Sequence, residues 1–298
     1  MAHPQIAAFA RLAKGGDAPD RVIFGQATKL SRTMHDIRYN NVRDEVYVGN
    51  PFAQAILTFR GSAGANEAPI RVIQGSKTRL GGADTLEIDE VNNEIIVPQG
   101  DEVLVFPLTA SGDVAPIRIV KGGAKNGWRS GGGVAVDPIH NVLVTDGSLV
   151  SANEEGGRGG RGARGGGSER DREEYEGSRN SILIFDRTAD GDTKPLRVIR
   201  GPHTGIKAIR QMQIYPKNGY IVISQITNGG IPEPEGTFVG VWSINDNGDV
   251  PPRWKIDGKP SNIMKKPRGV ALDPKHKEVI VSDMRLNAVL TFYLPEMF

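Results

Sequence analysis

Pro69-Ile70-Arg71-Val72-Ile73-Gln74-Gly75 is one of five versions of a single phrase: a proline, a spacer, an arginine, a short apolar run and a glycine. The others are Pro19-Asp20-Arg21-Val22-Ile23-Phe24-Gly25, Pro116-Ile117-Arg118-Ile119-Val120-Lys121-Gly122, Pro195-Leu196-Arg197-Val198-Ile199-Arg200-Gly201 and the longer variant Pro251-Pro252-Arg253-Trp254-Lys255-Ile256-Asp257-Gly258. The arginines lie 50, 47, 79 and 56 residues apart. Self-similarity at such a period marks a supersecondary unit that buries its apolar face against its neighbours, and this period is that of a propeller blade with one large insertion.

Between the phrases run three short β-branched or aromatic strands separated by turn residues. In the last repeat they are 269–273, 278–283 and 288–292, and the same trio recurs at 37–40, 46–49 and 56–59, at 86–89, 94–97 and 103–106, at 134–137, 142–145 and 182–185, and at 212–215, 221–224 and 239–242. The phrase itself is the fourth strand, reached through a turn such as Ala110-Ser111-Gly112-Asp113, its proline tolerated at the start of an outer strand.

Lys266-Pro267-Arg268-Gly269-Val270-Ala271-Leu272-Asp273-Pro274, followed by Val279-Ile280-Val281-Ser282-Asp283 and Asn287-Ala288-Val289-Leu290-Thr291-Phe292, resembles the NHL-type repeat of TolB-like and YVTN-like β-propellers. The repeat at 132–146 matches nearly as well, whereas Tyr215 replaces the first-strand aspartate of the fourth. The resemblance spans the chain and implies an all-β propeller of four-stranded meander blades, but propellers serve many functions and the fold does not choose among them. Five blades are expected, closed by a strand exchange in which Arg21–Phe24 becomes the outermost strand of the C-terminal blade and 5–10 is a spare; six blades, one incomplete, is the alternative.

With 298 residues, 38% hydrophobic and 24% charged, the chain suits one all-β domain, 1–298. No stretch approaches a membrane span. The absence of cysteine excludes disulfides and thiolate metal sites, and a net charge of +2 argues no polyanionic partner. Met1-Ala2-His3-Pro4 is no signal peptide; extracytoplasmic proteins of this type are common, so a periplasmic or secreted chain, begun here after its signal, is preferred to a cytoplasmic one.

Function is expected where the repeat is broken. The 148–179 segment, between the second and third strands of the third blade, holds six arginines and seven carboxylates with almost no apolar residue, and reads as a flexible solvated loop. The smaller 227–236 loop occupies the same place in the fourth blade, so both rise from one face. Arg158, Arg161, Arg164 and Tyr175 are the residues there that a partner would meet; RNA binding through this Arg-Gly segment is weakened by its acidic half and single ring.

The same face collects a ring of polar positions. Second strands end in Asn50, Gln99, Asp146, Gln225 and Asp283, first strands are reached past His35, Asp84, Gly132, Arg210 and Arg268, and strand alternation points Arg38, Glu87 and Gln213 towards the channel. Carboxylates, amides and one histidine could hold a central Ca²⁺, although hydrogen bonding within the turns also explains residues that recur with the repeat; no cofactor or metal is expected. The arginine of each phrase, present in every blade, is expected to pack its stem and pair locally. No nucleophile elbow, zinc motif or phosphate loop occurs. These residues lead to a non-catalytic propeller that binds a protein, small molecule or carbohydrate. A metal-assisted, lactonase-like hydrolase at the channel and an RNA-binding protein are the alternatives.

Overall fold

A computed structural model describes residues 4–32, 36–150, 181–227, 234–261 and 263–298. The chain is all-β, a five-bladed propeller of four-stranded antiparallel blades with almost no helix, and its residues gather into two compact units, 1–99 with 104–117 and 100–103 with 118–298.

The first unit begins with β1 (Gln5–Ala8) and β2 (Arg21–Phe24). Blade 1 follows as the meander β3 (Asp36–Asn40), β4 (Glu45–Asn50), β5 (Ala55–Arg60) and β6 (Arg71–Ile73). Blade 2 opens with β7 (Glu87–Asp89) and β8 (Glu94–Gln99), and the chain crosses between the units within β9 (Glu102–Pro107). In the second unit β10 (Arg118–Lys121) precedes β11 (Trp128–Asp137), β12 (Val142–Leu149) and β13 (Ser181–Asp186) of blade 3; β14 (Gly191–Asp192) pairs in parallel with β10, and β15 (Arg197–Ile199) completes blade 3. Blade 4 comprises β16 (Ile209–Tyr215), β17 (Tyr220–Gln225), β18 (Phe238–Ser243) and β19 (Trp254–Asp257); after the short helix Gly258–Ser261, blade 5 comprises β20 (Pro267–Asp273), β21 (Glu278–Asp283) and β22 (Ala288–Tyr293).

The phrase is a clasp between blades. In blade 1, Gly112 of the next turn donates its N–H to the Val72 carbonyl at 2.7 Å, and Gln74 N–H returns a bond to the Gly112 carbonyl at 3.2 Å. The same exchange joins Val22 and Phe24 to Ala65, and Val198 and Arg200 to Gly248. The residue after each turn then caps the short helix that follows the phrase: Asn66 accepts from Ala27 N–H, Asp113 from Lys77 N–H and Asp249 from His203 N–H. This explains the terminal glycine of the phrase. Gly25, Gly75 and Gly201 have φ of 107°, 134° and 135°, and a Cβ on any of them would overlap the capping Asn or Asp. Three residues on, the buried hydroxyls of Thr28, Thr78 and Thr204 bond the carbonyl of that glycine and accept the N–H of Leu30, Leu80 and Ile206. The phrase arginines pair locally: Arg71 with Glu45, Arg118 and Arg197 with backbone carbonyls of Arg187 and Ile244, Arg253 with Asp246.

The strand exchange expected at the termini is corrected. Arg21–Phe24 pairs with β1, in the register Ile6 to Ile23 and Ala7 to Val22, and the C-terminal sheet has three strands, β20–β22. The reason is chemical: 5–8 is no spare, because Ile6 gives the apolar run of β2 a mate and packs into the core built by Ile23, Val48, Leu57 and Phe59.

Candidate active site

Four of the five second-strand ends bond the loop that leads into their own blade. Asn50 accepts from Ser31 N–H and donates to the Lys29 carbonyl; Gln99 accepts from Gly81 N–H and donates to the Arg79 carbonyl. Gln225 accepts from Lys207 N–H and donates to the carbonyls of Gly205 and Gly236, and Asp283 accepts from Lys265 and Lys266 N–H. Those backbone bonds hold the Asp283 carboxyl below the usual carboxylate range against the opposing effect of burial. The 227–236 loop thus touches Gln225 through Gly236; its residues 228–233 lie outside the described part.

Asp146 departs from this pattern. Here β11 runs ten residues, with a register shift between Ser130 and Val134, and its Gly131-Gly132-Gly133 run wraps the carboxylate. Oδ1 accepts the Gly133 N–H at 2.5 Å, and a Cβ on Gly131 would overlap Oδ2, so only glycine leaves room. Gly132, at φ 118°, turns the strand around the group. Thr145 locks the bulge by donating to the Gly133 carbonyl at 2.7 Å and meeting the Ser130 hydroxyl at 3.0 Å. Almost complete burial pushes the Asp146 carboxyl up to about 7, desolvation outweighing the Gly133 N–H bond, the pull of Arg210 and the backbone N–H of Asp146 itself.

Arg210 and Arg268 arrive from the first strands of blades 4 and 5. Both are exposed. Arg210 is drawn below its usual range by partial desolvation and then by repulsion from Arg268, which Asp146 opposes. Arg268 directs Nε at the Met284 sulfur, 3.2 Å away, a weak acceptor. Gln211 Oε1 accepts the Val270 N–H at 2.6 Å and ties the two arginine-bearing strands together. The result is one buried carboxylate with an elevated pKa and a nearby guanidinium, Arg210, that is itself repelled by Arg268. Such a constellation can exchange a proton near neutrality and hold an anion. The positive charge of Arg210 disfavours a divalent cation on the Asp146 carboxylate. Among the described residues the one cluster with metal-ligand spacing is elsewhere, Asp273, His276 and Glu278 at the β20–β21 turn. There His276 Nδ1 meets Asp273 Oδ2 at 2.6 Å, a turn pairing that His140 and Asp137 repeat in blade 3.

The remaining positions do not join this group. In the first unit Arg38 is buried, donating Nε to Glu87 at 3.0 Å and NH1 to Asp36 at 2.5 Å. Asp36 also accepts the Leu86 N–H, and Glu87 the Ile88 N–H. Burial raises both carboxyls, with Arg38 opposing it; burial would lower Arg38, yet Asp36 and Glu87 hold it above its usual range. Gln213 is half-buried in β16 and Asp84 is exposed in the loop before β7. His35, Arg158, Arg161, Arg164 and Tyr175 lie outside the described residues, as does 151–180 of the long insertion. Sequence reasoning missed Asp36 and the glycine cradle. The signal for the cradle was three consecutive glycines at the start of the first strand of blade 3, opposite the aspartate of its second strand.

No family model and no curated protein matches the chain. Solved structures do, on fold alone. A putative 6-phosphogluconolactonase from Bacteroides uniformis ATCC 8492 aligns with a TM-score of 0.51 at 14% identity, covering 88% of this chain and 66% of its own. A protein from Lactobacillus plantarum gives 0.52 at 14% identity over 86% and 66%, and a chain of the mitotic checkpoint complex 0.52 at 13% identity over 93% and 67%. This chain spans about two thirds of the length of those it matches. The expectation of a non-catalytic binding scaffold is corrected here: a protein named as a lactonase shares the fold over most of this chain, and the second unit carries a carboxylate poised to titrate near neutrality. Among the described residues no helix is long and apolar enough to cross a membrane.

Proposed function

We propose that this chain, a propeller of NHL-type repeats, hydrolyses a lactone or related cyclic ester bearing an anionic group, with Asp146 as general base. The observation that carries the reading is the buried Asp146 carboxylate, cradled by glycine, titrating at about 7 and facing Arg210. A base of that pKa is half ionised at neutral pH, where proton transfer is most effective. Ionised Asp146 takes a proton from a water molecule as the oxygen attacks the lactone carbonyl carbon. The carbonyl oxygen becomes an oxyanion, which Arg210 stabilises. As the tetrahedral species collapses, the ring C–O bond breaks and the leaving alkoxide takes the proton back from Asp146, giving the hydroxy acid. Arg268 holds the substrate's anionic group. The name of the Bacteroides protein supports a sugar lactone as the first substrate to try.

The test is lactone hydrolysis followed by pH-stat on 6-phosphogluconolactone and on gluconolactone, with the unmodified chain and Asp146→Asn. Turnover that rises through about pH 7 and falls by about 10²–10⁴-fold in Asp146→Asn is expected. Failure to turn over either lactone, or an Asp146→Asn variant as fast as its parent, would defeat the assignment.

A further inference from the structure

Both arginines of the site stand where their strands carry one residue too many. In blade 4, Ile209 pairs with Gln225 and Gln211 with Ser224, which leaves Arg210 as the extra residue of a bulge in β16. In blade 5, Pro267 pairs with Asp283 and Gly269 with Ser282, which leaves Arg268 as the extra residue of a bulge in β20. In blade 1, β3 runs against β4 from Asp36 to Asn40 with no such shift. A bulge bends its strand and re-aims the side chain of the extra residue, so the ladder of the blade does not by itself fix where either guanidinium stands. Arg210 and Arg268 also repel each other. Their separation has to be set from outside the two ladders.

Blade 4 supplies the contacts. Gln211, half-buried and next to Arg210 in the chain, accepts on Oε1 the N–H of Val270, two residues beyond Arg268, at 2.6 Å. Ser224, fully buried and opposite Gln211 in the ladder, donates its hydroxyl to the Arg268 carbonyl at 3.3 Å. Between these contacts lies Gly269, where a Cβ would stand 2.6 Å from Ser282 Oγ and 3.1 Å from Gln211 Oε1, so glycine keeps both side chains within reach of the bulge. Ser282 in turn accepts the Gly269 N–H at 2.9 Å.

The Gln211 bond has a counterpart in the first unit. Asp36 precedes Ile37 as Gln211 precedes Met212, and Asp36 Oδ2 accepts the Leu86 N–H of the next blade at 3.1 Å. There the same carboxylate also takes Arg38 in an ion pair. An aspartate at this position ties two first strands together and consumes the arginine beside it. A neutral amide ties them together and leaves the arginines their charge.

We infer that Gln211, assisted by Ser224, is a positioning residue for the arginine pair: it fixes Arg268 relative to Arg210 and neutralises neither. The assignment rests on the reading above, in which Arg210 meets the oxyanion and Arg268 the anionic group of one substrate. The span between those two groups belongs to the substrate, and the protein has to match it.

Two ligands separate the span from the single contact: 6-phosphogluconate, with an anionic group at each end, and inorganic phosphate, with one. Each is titrated into isotope-labelled protein while the Nε–Hε cross-peak of Arg268, identified by its loss in Arg268→Lys, is followed by magnetic resonance. Gln211→Met keeps the side-chain volume and removes the strong acceptor. It should weaken 6-phosphogluconate at least about tenfold and phosphate less than about twofold. Gln211→Glu keeps the acceptor and adds the charge that Asp36 has, so it should weaken both ligands. Ser224→Ala, a milder change that serves if Gln211→Met does not fold, should weaken 6-phosphogluconate by about two- to threefold and phosphate less. Equal loss of both ligands in Gln211→Met, or 6-phosphogluconate held as tightly as by the parent, overturns the assignment. A chain that shows the split and turns over no lactone keeps the positioning role and defeats the hydrolase reading; one that hydrolyses lactones without the split does the reverse.

Discussion

Asp36, Arg38 and Glu87 in the first unit and Asp146, Arg210 and Arg268 in the second are both clusters of charge on the first and second strands of neighbouring blades, and they are built to opposite ends. In the first, one guanidinium lies between two carboxylates, all three buried, each carboxylate also receiving a backbone N–H. In the second, a buried carboxylate accepts backbone N–H bonds from Gly133 and from its own residue beside Arg210, which is exposed and repelled by Arg268, itself set against the weak sulfur acceptor of Met284. A cluster that satisfies itself fastens two blades. One that does not keeps free electrostatic capacity for a ligand, at a cost in stability.

The contrast can be broken at its strongest point first. Arg38→Ala leaves two buried carboxylates facing each other and is expected to destabilise the fold by about 3–5 kcal/mol in urea denaturation at pH 7, while Arg268→Ala, whose removal relieves a repulsion, changes stability by less than about 1 kcal/mol. If Arg38→Ala costs no more than Arg268→Ala, the distinction between the clusters fails.

A change of opposite sign is expected at Asp146. Its folded-state pKa of about 7 lies above the 3.8 of a solvated aspartate, so between about pH 4 and 7 the unfolded chain loses this proton before the folded one does and stability declines as pH rises, by roughly 4 kcal/mol in total. Asp146→Asn should therefore melt higher than the parent at pH 8, by several degrees, with the gain shrinking towards zero near pH 4. Equal melting temperatures at pH 8 would show that the carboxylate is comfortably solvated.

The smallest of these effects sharpens the role of the cradle. Gly131→Ala places a methyl group against Asp146 Oδ2 and is expected to cost about 1–3 kcal/mol in thermal unfolding at pH 7. In Asp146→Gly the same substitution should cost distinctly less, since its collision partner is gone. Additive costs in this double-mutant cycle would mean that Gly131 serves the backbone alone.

Much of this was legible in the sequence. The five phrases gave the period, the strand order and the place of the insertion, because each blade repeats the same local problem of pairing four short strands. The glycine ending each phrase was legible as a signal but not in its reason, which is the side chain of Asn66, Asp113 or Asp249 brought up from 41, 38 or 48 residues away. Reading strand alternation put Arg38 and Glu87 on the channel; the fold buries them against each other, since period-2 patterning says which residues share a face and not what the neighbouring blade places opposite.

Sequence by itself determined the all-β class, the blade count and the candidate ring of strand-end residues, all of which follow from local pairing rules repeated in register. Tertiary structure alone decided that Asn50, Gln99, Gln225 and Asp283 are consumed by their own loops, that Asp146 is sealed in glycine with Arg210 as its charged neighbour, and that β2 pairs with β1. These outcomes depend on desolvation and on competition between alternative partners, which are properties of residues far apart in the chain and brought together only by folding.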